Sequence, residues 1–270
     1  MSHVSCIIPY YNGGDTIARA IDSAIGSPSC LEVIVVCDGS PEPLAPNLTD
    51  FHRDQLKAGR LRIVELASNH GQAAARNMGV SISLGAYLSF LDQDDMYLPG
   101  FHAASVAFLE TRPQLAALEV GAEFVRDGRI VLDQSDPRYP AAISSVPWNV
   151  VVRRNLFWAC GGFPVGAEFR TKLAGEDIVF KQVLRNFFPV AAVGDKYIRH
   201  HIRDGSATDR YLKRTRAVDG RIVFTEDAPN EADGSWDRAY NAHIHWAFKA
   251  LSAELAVTLN QSLDKAEKDR

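Results

Sequence analysis

No stretch of this chain approaches the roughly 18 consecutive apolar residues that a bilayer-spanning helix needs, so no membrane span is expected. The N-terminus lacks a basic region followed by a long apolar run, so no signal peptide is expected and the expected location is the cytoplasm. Cysteine is scarce. Cys6, Cys30, Cys37 and Cys160 form no C-x-x-C pair, and none has histidine at zinc-finger spacing. Thiol-redox and zinc-ribbon frameworks are thereby excluded, and the pattern favours a reducing compartment. Cys6 and Cys37 lie inside apolar runs and read as buried, inert thiols. Blocks of like charge are also absent. With a formal net charge of −4, the chain offers no general attraction to nucleic acid or to an anionic membrane surface. No internal repeat or low-complexity tract is visible.

What is present is ordinary globular composition: 270 residues, 46% hydrophobic and 23% charged. That length can bury a sizeable core without disulfides or a structural metal. The first half alternates strand and helix signals. Val4–Pro9 is a short apolar run followed by the turn Asn12-Gly13-Gly14, with Asp15 as a helix cap. Ile17, Ala20, Ile21, Ala24 and Ile25 then recur at helical spacing. Leu31–Val36 reads as a second strand closed by Asp38-Gly39-Ser40-Pro41, and a helix is expected over 48–59. Arg60–Leu66, a helix over Gly71–Leu84 and a strand over Ala86–Leu91 follow, and the last runs straight into Asp92-Gln93-Asp94-Asp95. Near-continuous apolar strands separated by helices predict an α/β fold, a mostly parallel sheet flanked by helices on both faces. Such sheets bind ligands at the carboxyl ends of their strands. That rule gathers Tyr10-Tyr11, Asp38, His70-Gly71 and Asp92–Asp95 along one rim.

The second half is less regular. A helix is expected over 99–111, strands over Ala116–Phe124 and Arg129–Leu132 around an Asp127-Gly128 turn, and a loop over 134–147. Asn149–Val152 reads as a strand and 154–160 as a short helix ended by Gly161-Gly162-Phe163. Gly175-Glu176-Asp177 opens an amphipathic helix, and a strand over Val190–Tyr197 precedes His200-His201. Residues 203–235 read as polar loop, and the C-terminal part as a helical extension with Ala247, Leu251, Leu255 and Leu259 on one stripe. That stripe reads as core packing or a homo-oligomer contact. Peripheral membrane contact is the sharper reading, disfavoured because the charges are not predominantly basic.

Carboxylates crowded after a buried strand repel one another, and burying them unpaired is costly. A hard cation, Mg²⁺ or Mn²⁺, resolves the conflict through one or two carboxylates plus phosphate oxygens. Helix capping by Asp94 or Asp95 is the plainer alternative. Asp38 can accept from a base imide or a ribose hydroxyl, or merely close an Asx-turn. The small residues after Gly71 leave helix-start N–H groups for a phosphate or ribose, while Arg76 can serve the nucleotide or hold one of the acids. Glu176 and Asp177 can be acids of a helix's first turn or catalytic. Trp148, Trp158 and Phe163 read as core packing before an aromatic wall for a ligand.

Taken in order, Ile8-Pro9-Tyr10-Tyr11-Asn12, Val36-Cys37-Asp38-Gly39-Ser40, Asn69-His70-Gly71 with Ala75-Arg76-Asn77, Phe90-Leu91-Asp92-Gln93-Asp94-Asp95 and Gly175-Glu176-Asp177 resemble the family 2 inverting glycosyltransferases of GT-A fold. The resemblance covers about residues 3–200. It implies a GT-A glycosyltransferase domain over 1–205, with a nucleotide-binding half (1–98) and an acceptor half (99–205), then a loop and helical extension over 206–270. It implies a nucleotide-sugar donor, most often a UDP-sugar, and a saccharide or glycolipid acceptor. Pro9, Tyr11, Asp38, Gly71, Arg76 and Asp92 would meet the nucleotide. Asp94 would ligate Mn²⁺ or Mg²⁺, with His201, His200 or neither completing the site. Asp177 would be the general base, with Glu176 beside it. The chain departs from the family where Arg203 stands in place of an expected histidine. Two rivals come from other classes. A nucleotidyltransferase would carry a basic glycine-rich loop after the first strand, which Pro9–Gly14 lacks, and a catalytically silent nucleotide-binding scaffold would keep the pocket alone.

Overall fold

A computed structural model describes residues 3–14, 16–170, 175–225 and 238–251. Its first part alternates strand and helix: β1 (Val4–Tyr10), α1 (Thr16–Ile25), β2 (Cys30–Asp38), α2 (Asp50–Lys57), β3 (Leu61–Leu66), α3 (Gln72–Ser81) and β4 (Tyr87–Phe90). Then come β5 (Met96–Tyr97), α4 (Phe101–Glu110), β6 (Ala117–Arg126), β7 (Arg129–Leu132), α5 (Tyr139–Ser144), β8 (Val150–Arg153), α6 (Arg154–Ala159) and α7 (Glu176–Phe187). The last elements are β9 (Val190–His201), α8 (Ala207–Arg214), the hairpin β10 (Thr215–Val218) with β11 (Arg221–Phe224), and a helix over 238–251, α9.

One mixed sheet runs in the order β3-β2-β1-β4-β8-β6-β9-β5, with β7 hanging from β6. The pairs β1–β2, β2–β3 and β1–β4 are parallel, whereas β8 is antiparallel to both β4 and β6. Successive strands leave β1 first toward β2 and then, with β4, on its other side. Crevices at such switch points are where open α/β sheets bind ligands. Two apolar cores cover the faces. One packs Ile17, Ala20, Ile21, Ala24 and Ile25 of α1, the five positions read from helical spacing, against β1 and β2. The other gathers Phe90, Phe157, Phe163 and Phe180 under α6 and α7, where Ala247 of α9 also docks. Leu251 is half-buried, and Leu255 and Leu259 lie outside the described residues.

Several elements differ from the sequence expectation. β9 continues through His201 because Phe124 and Val125 of β6 pair with His200 and His201, so the histidine pair belongs to the sheet. Residues 207–224 form α8 and a hairpin instead of loop. α8 is held by polar contacts: Ser206 Oγ accepts from the Asp209 N–H at 3.2 Å, and the Asp209 carboxylate pairs with Arg126 and Lys213. Tyr211 and Leu212 add an apolar contact with the main core, but two residues make too short a stripe to read. α5 interrupts the expected 134–147 loop, anchored where the Tyr139 hydroxyl accepts from the Ala122 N–H at 2.8 Å.

Candidate active site

β1 and β4 stay paired only from Val4 to Ile7. Pro9 lies beyond that pairing, where its missing N–H disturbs no ladder on the β4 side. The two strands splay there and open a cleft of about 400 Å³ whose lining includes Pro9, Tyr11, Asp38, Gly71, Asp92 and Asp94. Gln93 bridges the mouth: its Oε1 accepts from the Tyr11 N–H at 2.9 Å and its Nε2 donates to the Tyr11 carbonyl at 3.0 Å. The acidic loop is thus clipped to the end of β1 by the one residue in the cluster that carries no charge.

Asp38 is buried at the end of β2. Its two oxygens accept from the His70 and Gly71 N–H groups, each at 2.7 Å. This carboxylate therefore shapes the 69–71 loop and presents only its remaining lone pairs to a ligand. Gly71 sits at φ 90°, ψ 156° immediately before α3, a conformation essentially restricted to glycine. The first N–H groups of α3 have no intrahelical partner, and Gln72 and Ala73 line the cleft. Arg170 closes over this corner, donating to the Asn69 carbonyl at 3.0 Å.

Arg76 is 1% exposed and donates to Asp92 at 2.8 Å and to Glu176 at 2.9 Å. Its guanidinium also lies 5.4 Å from the Phe163 ring centroid. Of the two roles open to it, the structural ion pair is formed. Its terminal nitrogens meet the Asp92 and Glu176 carboxylates, and its side chain also borders the cavity onto which Asp177 opens. Glu176 accepts from Gln72 at 2.5 Å as well, leaving its buried Oε2 without a partner.

Asp177, beside it, accepts from the Ile178 N–H at 2.7 Å, its one hydrogen bond among the described residues. Burial first, and the Glu176 carboxylate second, push its carboxyl up to about 7 against the pull of Arg76. Asp177 opens onto a second cavity of about 350 Å³, whose lining includes Ser145, Pro147, Trp148, His200 and Arg210. The two cavities meet: Gln72, Asp92, Asp94 and Arg203 line both.

Asp95 is fully buried and takes no part in either cavity's lining. It accepts from His200 Nδ1 at 2.8 Å and from the His201 N–H at 2.8 Å. Burial alone would lower the His200 pKa, but Asp95 reverses the direction and holds it above the ordinary value. His200 stacks on Trp148 at 5.2 Å between ring centroids. Trp148 and Phe163 are buried, whereas Trp158 is 47% exposed, against the core packing expected for it.

The glycosyl transferase family 2 model matches residues 5–161 of this sequence. The chain belongs to that family. Over 97 residues it is 41% identical to the succinoglycan biosynthesis protein ExoU of Rhizobium meliloti, covering 36% of this chain and 28% of that protein. A stretch of 113 residues is 32% identical to the Escherichia coli UDP-Glc:alpha-D-GlcNAc-diphosphoundecaprenol beta-1,3-glucosyltransferase WfaP, covering 41% of this chain and 43% of that one. The matched part thus spans less than half the length of either relative. The structure superposes on S. aureus TarS 1–349 in complex with UDP-GlcNAc with a TM-score of 0.61 at 20% identity, covering 76% of this chain and 60% of that one. The expected GT-A fold is borne out by that likeness.

In this family 2 chain the donors for a divalent cation are few. Among the described residues no group of three His, Cys, Asp or Glu side chains is close enough to hold one. Alternation along β9 turns His200 toward the second cavity, whereas His201 lines neither cavity, although the Asp94 charge still acts on its ring. What remains suits a cation completed by phosphate oxygens, which needs only one or two carboxylates. Asp94 and Asp92 both face the shared space. Burial, with the Asp95 and Asp92 charges, pushes the Asp94 carboxyl up to about 6, so the site favours positive charge. Arg203 supplies some of it through an ion pair with Asp94. Gln93, Arg170 and Arg203 are the contributors that pattern reasoning did not assign. Only Arg203 carried a signal, as the residue standing where a histidine was expected.

Proposed function

We propose that this family 2 chain is an inverting glycosyltransferase. It moves a sugar from a nucleotide-sugar, most simply a UDP-sugar, to a hydroxyl of a saccharide or glycolipid acceptor. The observation that carries this reading is the junction of the two cavities at Asp92 and Asp94. Asp38 opens only onto the first and Asp177 only onto the second. A donor lying in the first cavity would therefore present its anomeric carbon to a base in the second. The UDP-sugar named for the Escherichia coli relative and bound in the S. aureus structure agrees with this donor class, and the diphosphoundecaprenol named for the former agrees with a glycolipid acceptor.

Pro9, Tyr11 and Asp38 surround the nucleoside in this reading, Asp92 lies by the ribose, and the start of α3 from Gly71 offers N–H groups to the diphosphate. Mn²⁺ or Mg²⁺ held by Asp94, with Asp92, would act as a Lewis acid on the leaving diphosphate. Arg203 adds a fixed positive charge at the same place. On the opposite side Asp177 takes the proton of the acceptor hydroxyl. The acceptor oxygen bonds to the anomeric carbon as the carbon–oxygen bond to the diphosphate breaks, and the bonding electrons leave with the nucleotide. Attack from the base's side inverts the centre. Glu176 stays paired to Arg76 and keeps the base's pKa high.

Incubation with labelled UDP-glucose and UDP-N-acetylglucosamine in the presence of Mn²⁺ tests the proposal. Sugar transfer or slow donor hydrolysis, lost in Asp177→Asn, is expected. Nucleotide binding without turnover in the wild-type protein would refute it.

A further inference from the structure

One buried charge takes no part in the proposed chemistry. Lys181 lies one helical turn beyond Asp177 on α7 and is fully buried, with its ammonium inside the protein. Its three hydrogens meet three oxygens: the Ile143 carbonyl at 3.0 Å, the Val146 carbonyl at 3.1 Å and Asn149 Oδ1 at 2.8 Å. The charged groups facing it are Glu119, whose Oε2 is 4.0 Å away and is claimed by Arg185, then Arg185 itself and Asp177. Burying an ammonium is expensive, and an apolar side chain of similar shape often serves stability as well or better. What an apolar chain cannot do is fix three oxygens of a segment relative to a helix.

That segment is the wall of the acceptor-side cavity. Ser145, Val146, Pro147 and Trp148 line it opposite Asp177. Its other end is fixed independently, since Trp148 stacks on His200 and His200 is held by Asp95 of the acidic loop. Asn149 also donates to the Val120 carbonyl at 3.1 Å, which seats the segment on the sheet. The wall is therefore registered to the acidic loop through Trp148 and to the base helix through Lys181. We infer that Lys181 is a positioning residue that sets the gap between the 143–148 wall and Asp177, and so governs how the acceptor is held. This rests on the glycosyltransferase reading for its consequence, though not for its geometry.

Lys181→Met tests it with two readouts. In hydrogen exchange, amides of 143–149 should exchange at least tenfold faster than in the wild-type protein, while those of α3 stay the same. Unchanged exchange over 143–149 would overturn the pin. In transfer from UDP-glucose or UDP-N-acetylglucosamine to p-nitrophenyl glycosides, the acceptor KM should rise at least fivefold while the UDP Kd stays within twofold. A merely structural lesion would move both alike, and that result, or an unchanged acceptor KM, overturns the role. If Lys181→Met does not fold, Asn149→Ala removes one of the three oxygens and should raise the acceptor KM about threefold by the same criterion. Failure of the wild-type protein to transfer any sugar would count against the functional reading instead, and the exchange result would stand apart from it.

Discussion

If Asp177 is the base, the rate must follow its deprotonation. With a carboxyl pushed up to about 7, roughly one molecule in a hundred carries the active carboxylate at pH 5 and about nine in ten at pH 8, so the rate should rise roughly 90-fold across that interval. The assay is initial UDP release from a UDP-sugar at saturating donor in buffers from pH 5 to 8. Two variants sharpen it. Asp177→Asn should lower the rate by about 10²–10⁴, the usual worth of a general base. Glu176→Gln removes the second-largest cause of the raised value and leaves Arg76 with more charge to spare, so the acid limb should move to lower pH. Asp94, pushed up to about 6, would place a limb about one unit lower, and Glu176→Gln would leave that limb where it was. A flat profile, or a limb that ignores Glu176→Gln, would refute the assignment. The same raised value has a stability consequence of definite sign. The folded state holds this proton more tightly than the unfolded chain, so Asp177's contribution is fully present below about pH 4 and is lost as pH rises through about 7. Asp177→Asn should therefore be more stable than the wild-type protein at pH 8 and no different at pH 4.

Three other perturbations test the surrounding frame. Arg76→Met leaves Glu176 buried without its cation and should cost about 3–5 kcal/mol, read in urea unfolding; a loss under about 1 kcal/mol would mean that the pair is not formed. Arg203→Ala should weaken UDP binding by roughly tenfold in calorimetry, and affinity within twofold of wild type would remove Arg203 from the diphosphate end. Asp38→Asn turns an amide nitrogen toward the His70 or Gly71 N–H and should cost about 1–3 kcal/mol, checked by unfolding; unchanged stability would show that this carboxylate does not hold the 69–71 loop.

The parallel half of the fold was legible because its strands are buried on both faces and its helices carry strong stripes. All five apolar positions read in α1 are buried, and the rim segments named from strand ends line one cleft, apart from Asp95. What was illegible has a common physical cause. α8 and the β10–β11 hairpin are held largely by caps, ion pairs and backbone ladders, with just Tyr211 and Leu212 of α8 packed on the core, and exposed residues such as Phe224 at 66% give no long apolar period. The extension of β9 through His201 came from pairing with β6, a partner about 75 residues away, which local pattern cannot see. Arg76 is open to two roles in the sequence because both place a guanidinium behind Asp92, and pattern cannot show the ion pairs with Asp92 and Glu176 that its depth allows. Lys181 looked like an ordinary polar position of an amphipathic helix, since no rule of spacing predicts an ammonium pointing into the core.

The carboxylates of the site can be ranked by how much of their bonding capacity is already spent, and the ranking explains why they need not compete for one task. Asp95 is exhausted by His200 and the His201 N–H, and is buried beyond any ligand. Glu176 is half spent on Arg76 and Gln72, and its other oxygen is sealed from solvent. Asp92 gives one oxygen to Arg76 and keeps the other toward the cleft. Among the described residues the Asp94 carboxylate pairs with Arg203, a largely exposed side chain that a ligand's own charges can displace. Among the described residues Asp177 hydrogen-bonds just the next residue's N–H. A desolvated carboxylate with no ion-pair partner of its own holds its proton tightly enough to matter near neutrality, and one with an exchangeable cation is open to a metal. Division of labour among chemically identical side chains therefore follows from their partners: Arg76 silences one acid, His200 another, and the two left least engaged face each other across the junction where the sugar would move.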